Sequence, residues 1–288
     1  MATFLLEIRT EEIPAAALPG ARRQLERLFS ERLAEAGFPS LEVAPWSTSR
    51  RLVVNITGLP DQQPDRSEDV TGPPTRVAVG EDGEPTPAGE GFARKVGLAF
   101  AELRRVETGK GEYLAATLRH RGRPTSEILA EIVPAVVADL RFPKMMRWGD
   151  GRHHFVRPVH GVVALLDDAV VPFELFGVGS GRTTVGHRVH APEPFELENA
   201  EVYAEALEER GVSVRPGSRL DVMNGLAERL AGEAGARVHP DPGLVAEHVE
   251  LVEWPGLMAG RFDQRYLELP PEVVVTTLRY HQKCLVLE

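Results

Sequence analysis

Short extended runs and longer helical ones alternate along the chain. Phe4 to Ile8 is a brief apolar run that predicts a strand. Over 20–36, GARRQLERLFSERLAEA, the residues Leu25, Leu28, Phe29 and Leu33 recur at helical spacing on one face, and Gly37 supplies the stop. Strands follow at Leu41–Trp46 and Arg51–Thr57, the second carrying Leu52, Val53, Val54, Asn55 and Ile56. The order β-α-β-β predicts an α+β opening with a mostly antiparallel sheet.

Residues 58–91 change character, with Pro, Gly, Asp and Glu throughout, and are expected as a long surface excursion. A short helix at Gly91–Ala99 precedes a hairpin, Leu103–Glu107 with Glu112–Leu118, turning at Gly109-Lys110-Gly111. Residues 126–140 read as a helix that Pro134 bends or ends in part. Strands are expected at Gly161–Leu166 and Val170–Phe176, joined at Asp167-Asp168, before a Gly-rich turn, GVGSGRTTVGHR. Helices at 200–210 and 219–234, the second capped by Ser218, flank a short strand near Val212–Val214. The last stretch reads as strand, turn, helix from Pro271, and a final strand at Lys283–Leu287.

The fold class expected is therefore α+β, with mixed or mostly antiparallel sheets, helices packed on one face, and a smaller α/β lobe. The organisation expected is a main region over 1–190, an inserted lobe over 191–245, and a strand-helix-strand return over 246–288. The final strand reaches the last residue without a tail, which suggests a natural chain that continues beyond 288.

Composition narrows the class. The chain has 288 residues, 42% hydrophobic and 26% charged, which is globular usage and excludes wholesale disorder. Glu7 ends the opening apolar run and no basic stretch precedes it, so the start is not a signal peptide. No run approaches the roughly eighteen apolar residues of a membrane span. Cys284 stands alone, which forbids an internal disulfide and, with the absent leader, points to the cytoplasm. The net charge of -10 counts against nucleic-acid binding by the chain as a whole, while leaving room for local basic patches.

Few residues offer self-contained chemistry. His153 and His154 are adjacent, and His187 and His190 lack a third ligand at metal spacing, so no metal is expected. Ser180 in GVGSG does not meet the G-x-S-x-G pattern of a nucleophile elbow. Cys284, among apolar neighbours in an expected strand, reads as a buried structural thiol. Neither a phosphate loop of the G-x-x-x-x-G-K-S/T kind nor a strand–GxGxxG–helix unit occurs. Glu11 and Glu12, just before Pro14, read either as a solvated turn or as part of a subunit interface.

The segment 141–160, RFPKMMRWGDGRHHFVRPVH, gathers five Arg or Lys residues and three His. Arg141, Lys144 and Arg147 recur every third residue, which would align them on a helix, though Pro143 opposes one. Arg and Lys suit phosphate contacts, and Trp148 or Phe155 suits stacking on a base. The same pattern also describes a structural turn with Arg157 packed on the sheet. The residues alone leave both readings open.

FLLEIRTEEIP at 4–14, TSRRLVV at 48–54, GPP at 72–74, GEGFARKVG at 89–97 and KGEYL at 110–114 occur in an order that, with the segments after them, resembles a known family. FPKMMRWG at 142–149, FVRPVH at 155–160, GHR at 186–188, LVEWPGLMAGRF at 251–262 and LELPPEVVVTTLRYHQKC at 267–284 complete the series. The chain resembles the beta subunit of bacterial two-subunit glycyl-tRNA synthetases over nearly its whole length. Arg9, Met145, Arg182, Val185, Cys284 and Leu285 depart from that family's usual residues.

The resemblance implies an α2β2 assembly that charges tRNA(Gly) with glycine using ATP. It implies that adenylate chemistry lies in the alpha subunit, and no catalytic, cofactor or metal site is expected in this chain. It implies a role in tRNA recognition and assembly, with a purely structural scaffold for the alpha subunit as the alternative. It also implies a likeness to parts of the phenylalanyl-tRNA synthetase beta chain. On this footing the residues expected to meet tRNA or the alpha subunit are Lys144, Arg147, Trp148, Arg152, Arg157, Arg182, His187 and Arg188.

Overall fold

The computed structural model describes residues 1–80 and 83–288, with the backbone alone at Arg119. It divides into a larger unit, Met1–Asp61 with Thr125–Glu288, and a smaller one, Gln62–Pro124. Residues 191–245, expected as a lobe, fall within the larger unit.

The larger unit opens with β1 (Ala2–Thr10), α1 (Leu18–Glu35), β2 (Glu42–Thr48) and β3 (Arg51–Leu59). Every side chain expected on the inner face of α1 is buried: Leu25, Leu28, Phe29 and Leu33. The helix ends at Gly37, whose φ of 82° is open to glycine. There the Gly37 N–H donates to Ala34 O and the Phe38 N–H donates to Leu33 O, a Schellman closure with buried Phe38 folded back on Leu33.

The smaller unit contains β4 (Arg66–Pro74), α2 (Thr75–Ala78), α3 (Pro87–Val96), β5 (Arg104–Thr108) and β6 (Gly111–His120). β4, β6 and β5 form an antiparallel sheet in that order. The expected hairpin is present, whereas the expected excursion at 58–91 holds the end of β3, all of β4 and α2, and the start of α3. Its polar composition hid a strand because β4 is largely exposed, leaving little apolar alternation to read.

The larger unit resumes with α4 (Thr125–Asp139), one helix that runs through Pro134. Then come β7 (Met146–Trp148), β8 (His153–Phe155), β9 (Val159–Leu166), β10 (Ala169–Val170), β11 (Glu174–Leu175), β12 (Val178–Gly181), β13 (Thr183–Val185) and β14 (Pro194–Glu196). Pro172 lies where the expected strand 170–176 breaks into β10 and β11. The chain continues with α5 (Tyr203–Glu208), α6 (Pro216–Glu233), α7 (Pro242–Leu251) and α8 (Pro271–Thr276). α6 begins at Pro216 with Arg215 as its N-cap, so Ser218 lies inside the helix. Val212 and Val214 are buried but join no ladder. Glu247 to Leu251 close α7, where a strand was expected from Leu251. Cys284 is exposed, because the last residues make only an isolated bridge, Val238 to Leu287, and no strand covers the thiol.

The main sheet has the order β11-β12-β9-β1-β3-β2, with β10 beside β9. All its pairs are antiparallel except β12 with β9. β1 is central and apolar on both faces. Phe4, Leu6 and Ile8 join α1 and α4 in one core, while Leu5 joins Val53, Val163 and Leu165 under Tyr203, Ala204 and Leu207 of α5. Helices therefore cover both faces of the sheet, not one, because the run Phe4-Leu5-Leu6 leaves no polar face at its centre.

Candidate nucleic-acid and subunit interface

Glu7 lies on the α5 face of β1, two residues from Leu5, and is 1% exposed. Its carboxylate accepts from Tyr203 Oη (2.6 Å), Thr184 Oγ1 (2.6 Å) and Arg51 Nε (3.2 Å). Arg51, also 1% exposed, donates in addition to Glu253 and to the carbonyls of Val185 (2.7 Å) and Gly186 (3.1 Å). Thr48 Oγ1 donates to Glu253 Oε1 at 2.7 Å. Burial works against the Arg51 charge, but Glu7 and Glu253 outweigh it and raise its pKa. Burial first, then Glu7, pushes the Tyr203 hydroxyl well above its ordinary value, so it stays a donor.

A second buried cation lies nearby. Arg219 of α6 is fully buried and donates to three carbonyls: Val249 (2.9 Å), Ser213 (2.5 Å) and Ser47 (2.8 Å). Burial brings its pKa down to about 10, still charged at neutral pH. Arg22 of α1 reaches α7 through a two-pronged pair with Glu250, at 2.6 and 2.9 Å. These buried polar contacts tie the sheet to α5, α6 and α7.

Within the segment 141–160, residues 146–155 form a β-hairpin and none is helical, in keeping with Pro143. β7 pairs with β8 in the register Met146–Phe155, Arg147–His154 and Trp148–His153. Period-two geometry places Met146, Trp148, His153 and Phe155 on one face and Arg147 with His154 on the other. The first face is anchored. Phe155 is 1% exposed and meets Phe142 (5.3 Å) and Phe176 (4.9 Å), and Trp148 meets Phe176 and His153, each at 5.6 Å between ring centroids. The second face is exposed at both residues. Gly149 (φ 63°) and Gly151 (φ 83°) make the turn.

The expected contact residues divide by their surroundings. Lys144 and Arg147 are exposed, and Arg147 has only a 3.4 Å bond to Gly151 O at the hairpin tip. Arg152 is exposed but paired to Asp150 beside it, whose carboxyl that bond holds below its usual value. Arg188 is exposed and lies 3.7 Å from Glu12. The others hold the fold. Arg157 donates to Glu12 O (2.8 Å) and Val156 O (2.9 Å), and Arg182 to Asp168 O (2.7 Å), Leu197 O (3.3 Å) and Glu198 O (3.4 Å). Trp148 is a prop, and His187 Nδ1 accepts from the N–H groups of Val189 and His190 while its ring stacks on His190 at 4.6 Å.

Glu11 and Glu12 form a surface ion network with Arg50, His160 and Arg188. Burial opposes the Glu11 charge, but Arg50 and the bond to His160 outweigh it and lower its pKa. Sequence reading missed the polar group around Glu7 and Arg51 altogether. The available signal was a Glu in the middle of an apolar strand and an Arg opening one. Among the described residues no group of three or more His, Cys, Asp or Glu is placed to hold a metal ion.

The fold is thus an α+β module whose buried ionic contacts fix a sheet and present an exposed basic hairpin. A family described as glycyl-tRNA synthetase beta subunit matches residues 4–288, and the chain belongs to that family. Among curated relatives, the glycine–tRNA ligase beta subunit of Magnetococcus marinus is 43% identical over 284 residues, covering 98% of this chain and 41% of the relative. Those of Syntrophotalea carbinolica and Moorella thermoacetica are each 41% identical, covering 98% and 97% of this chain and 41% and 40% of theirs. The chain spans about two fifths of the length of these relatives.

Proposed function

We propose that the chain is the N-terminal portion of a glycine–tRNA ligase beta subunit. It contributes to recognition of tRNA(Gly) and to assembly with an alpha subunit in an α2β2 enzyme of the cytoplasm. In this reading ATP and the adenylate chemistry belong to the alpha subunit, and this chain holds no cofactor. The observation that carries the reading is the family match across 4–288. The absence of any helix long and apolar enough to cross a membrane, among the described residues, is compatible with it. The two-faced sheet is further proposed to resemble parts of the phenylalanyl-tRNA synthetase beta chain.

Within the chain, the outward face of the hairpin and the bend before it are the contact we assign to tRNA, with Arg147 and Lys144 as the cations. Both are exposed, and no carboxylate of the described residues pairs with either. Arg147 stands on the anchored strand β7 and Lys144 in the bend just before it, which favours a phosphate contact over a mobile charged tail. The test is a salt titration of tRNA(Gly) affinity in the assembled enzyme carrying Lys144→Gln and Arg147→Gln. Affinity is expected to fall, with the slope of log affinity against log salt shallower by about one unit per charge removed. Failure of the folded variants to assemble with the alpha subunit would make the hairpin an assembly surface, the scaffold reading.

A further inference from the structure

In the smaller unit, the β4–β6 ladder sets Pro74 opposite Tyr113. Thr75 and Arg76, which open α2, therefore come beside the β5–β6 turn that carries Lys110. A cavity of about 420 Å³ opens there, lined by Pro74, Thr75, Arg76, Lys110, Glu112 and Tyr113 among others. That volume lies in the range that holds small ligands.

Its charges are arranged unlike those of the neighbouring surface. Arg104 is paired with Asp69 at 2.6 Å, and Arg105 faces Glu112 at 3.9 Å. Arg76 and Lys110 are exposed and have no side-chain acceptor among the described residues. The one carboxylate in the wall, Glu112, already has Arg105 as a neighbour. The Thr75 hydroxyl, on a residue 8% exposed, also finds no hydrogen-bond partner. The unit as a whole holds ten basic and ten acidic residues, so it carries no net charge of its own against an anion.

We propose that this cavity binds one nucleotide unit of single-stranded RNA, its phosphate between Arg76 and Lys110 and its base on the ring of Tyr113. Two unpaired cations beside an aromatic face match what an unstacked nucleotide offers, a charged phosphate next to a flat π-system. A phosphate on a peptide would use the cations and leave the ring idle. The choice of RNA rests on the proposed family role; the cavity and its charges do not.

The test uses the 288-residue chain and a fluorescent, unpaired oligoribonucleotide of mixed sequence, read by anisotropy across a salt series. Arg76→Gln with Lys110→Gln should weaken binding about tenfold or more and flatten the salt slope by about 0.7 units per charge removed. Tyr113→Leu should weaken it about fivefold or more while Tyr113→Phe keeps it, and Glu112→Gln should tighten it. Adenosine monophosphate should compete better than inorganic phosphate. Variants that keep the wild-type circular dichroism spectrum and bind RNA with unchanged affinity and slope would overturn the cavity, leaving tRNA contact elsewhere in place. A wild-type chain that binds no RNA would overturn it as well, and co-purification with the alpha subunit would then decide the family role separately. Equal competition by inorganic phosphate would overturn the stacking of the base.

Discussion

A buried charge is costly unless its partners are fixed around it, and the larger unit holds several with partners drawn from distant segments. Arg219 is the sharpest case because its partners are all backbone carbonyls, from Ser47, Ser213 and Val249. Val249 lies in the last turn of α7, where the helix dipole also favours a cation. Arg219→Met keeps most of the volume but leaves three buried acceptors unpaired. It is expected to cost about 3–5 kcal/mol, read by urea denaturation. A change within a few tenths of a kcal/mol would show that water replaces the guanidinium. His187 gives a pH signature. Burial first, then the neighbouring His190 and Arg51 charges, lowers its pKa against the pull of Glu253. The folded state then disfavours the proton that the unfolded chain accepts near its ordinary value of about 6.5. Stability from this group is full above that value and is lost as pH falls toward the lowered folded value. A proton NMR titration should find the His187 ring titrating below the ordinary histidine range, and a midpoint at or above that range would contradict the assignment. Neither Arg219 nor Glu7 announced itself in the sequence, since Glu7 finds its partners 44, 177 and 196 positions away. An isolated charge in an apolar strand shows that something must satisfy it, not what does.

At the scale of elements, the legible parts were those whose apolar pattern is complete within the element. α1 shows its buried face in Leu25, Leu28, Phe29 and Leu33, and the β5–β6 hairpin shows its turn in Gly109-Lys110-Gly111. β4 was not legible, because a strand exposed along most of its length carries no alternation. The 141–160 segment was legible as a basic stretch but not as a hairpin. Its three-residue recurrence of Arg141, Lys144 and Arg147 matched a helical period, while Gly149 and Gly151 stated the turn. Arg141 instead donates to Ala138 O and Leu140 O at the end of α4, the usual place for a cation on a helix. Of the eight expected contact residues, four are held by fold contacts: Trp148, Arg157, Arg182 and His187. Because both turn glycines have positive φ, Gly149→Ala or Gly151→Ala forces a side chain into left-handed backbone at about 1–2 kcal/mol. The expected result is faster amide exchange in 146–155 with unchanged protection in β1 and β9. Equal loss of protection in β1 would show that the hairpin is a pillar of the main sheet.

At the scale of the whole chain, chemistry and architecture point the same way. The larger unit spends its buried charges on structure: Glu7, Arg51, Glu253, Arg22, Glu250 and Arg219 all join one element to another. A catalytic group needs an open face toward a reactant, and all of these but the partly exposed Arg22 are closed in by protein. At the surface Glu11 and Glu12 are paired with Arg50, His160 and Arg188. The sequence contains no phosphate loop on which ATP would be cradled. The expectation is that the purified chain, free of alpha subunit, does not form glycyl-adenylate. ATP–pyrophosphate exchange with glycine should match the no-enzyme blank, and it should appear when the alpha subunit is supplied together with the full beta subunit. Exchange above the blank from this chain alone would place adenylate chemistry within its residues and overturn the division of labour between the two subunits. Exchange that survives Lys144→Gln and Arg147→Gln in the assembled enzyme, while tRNA charging falls, would put the hairpin on the transfer side of the reaction, as the proposed contact with tRNA requires.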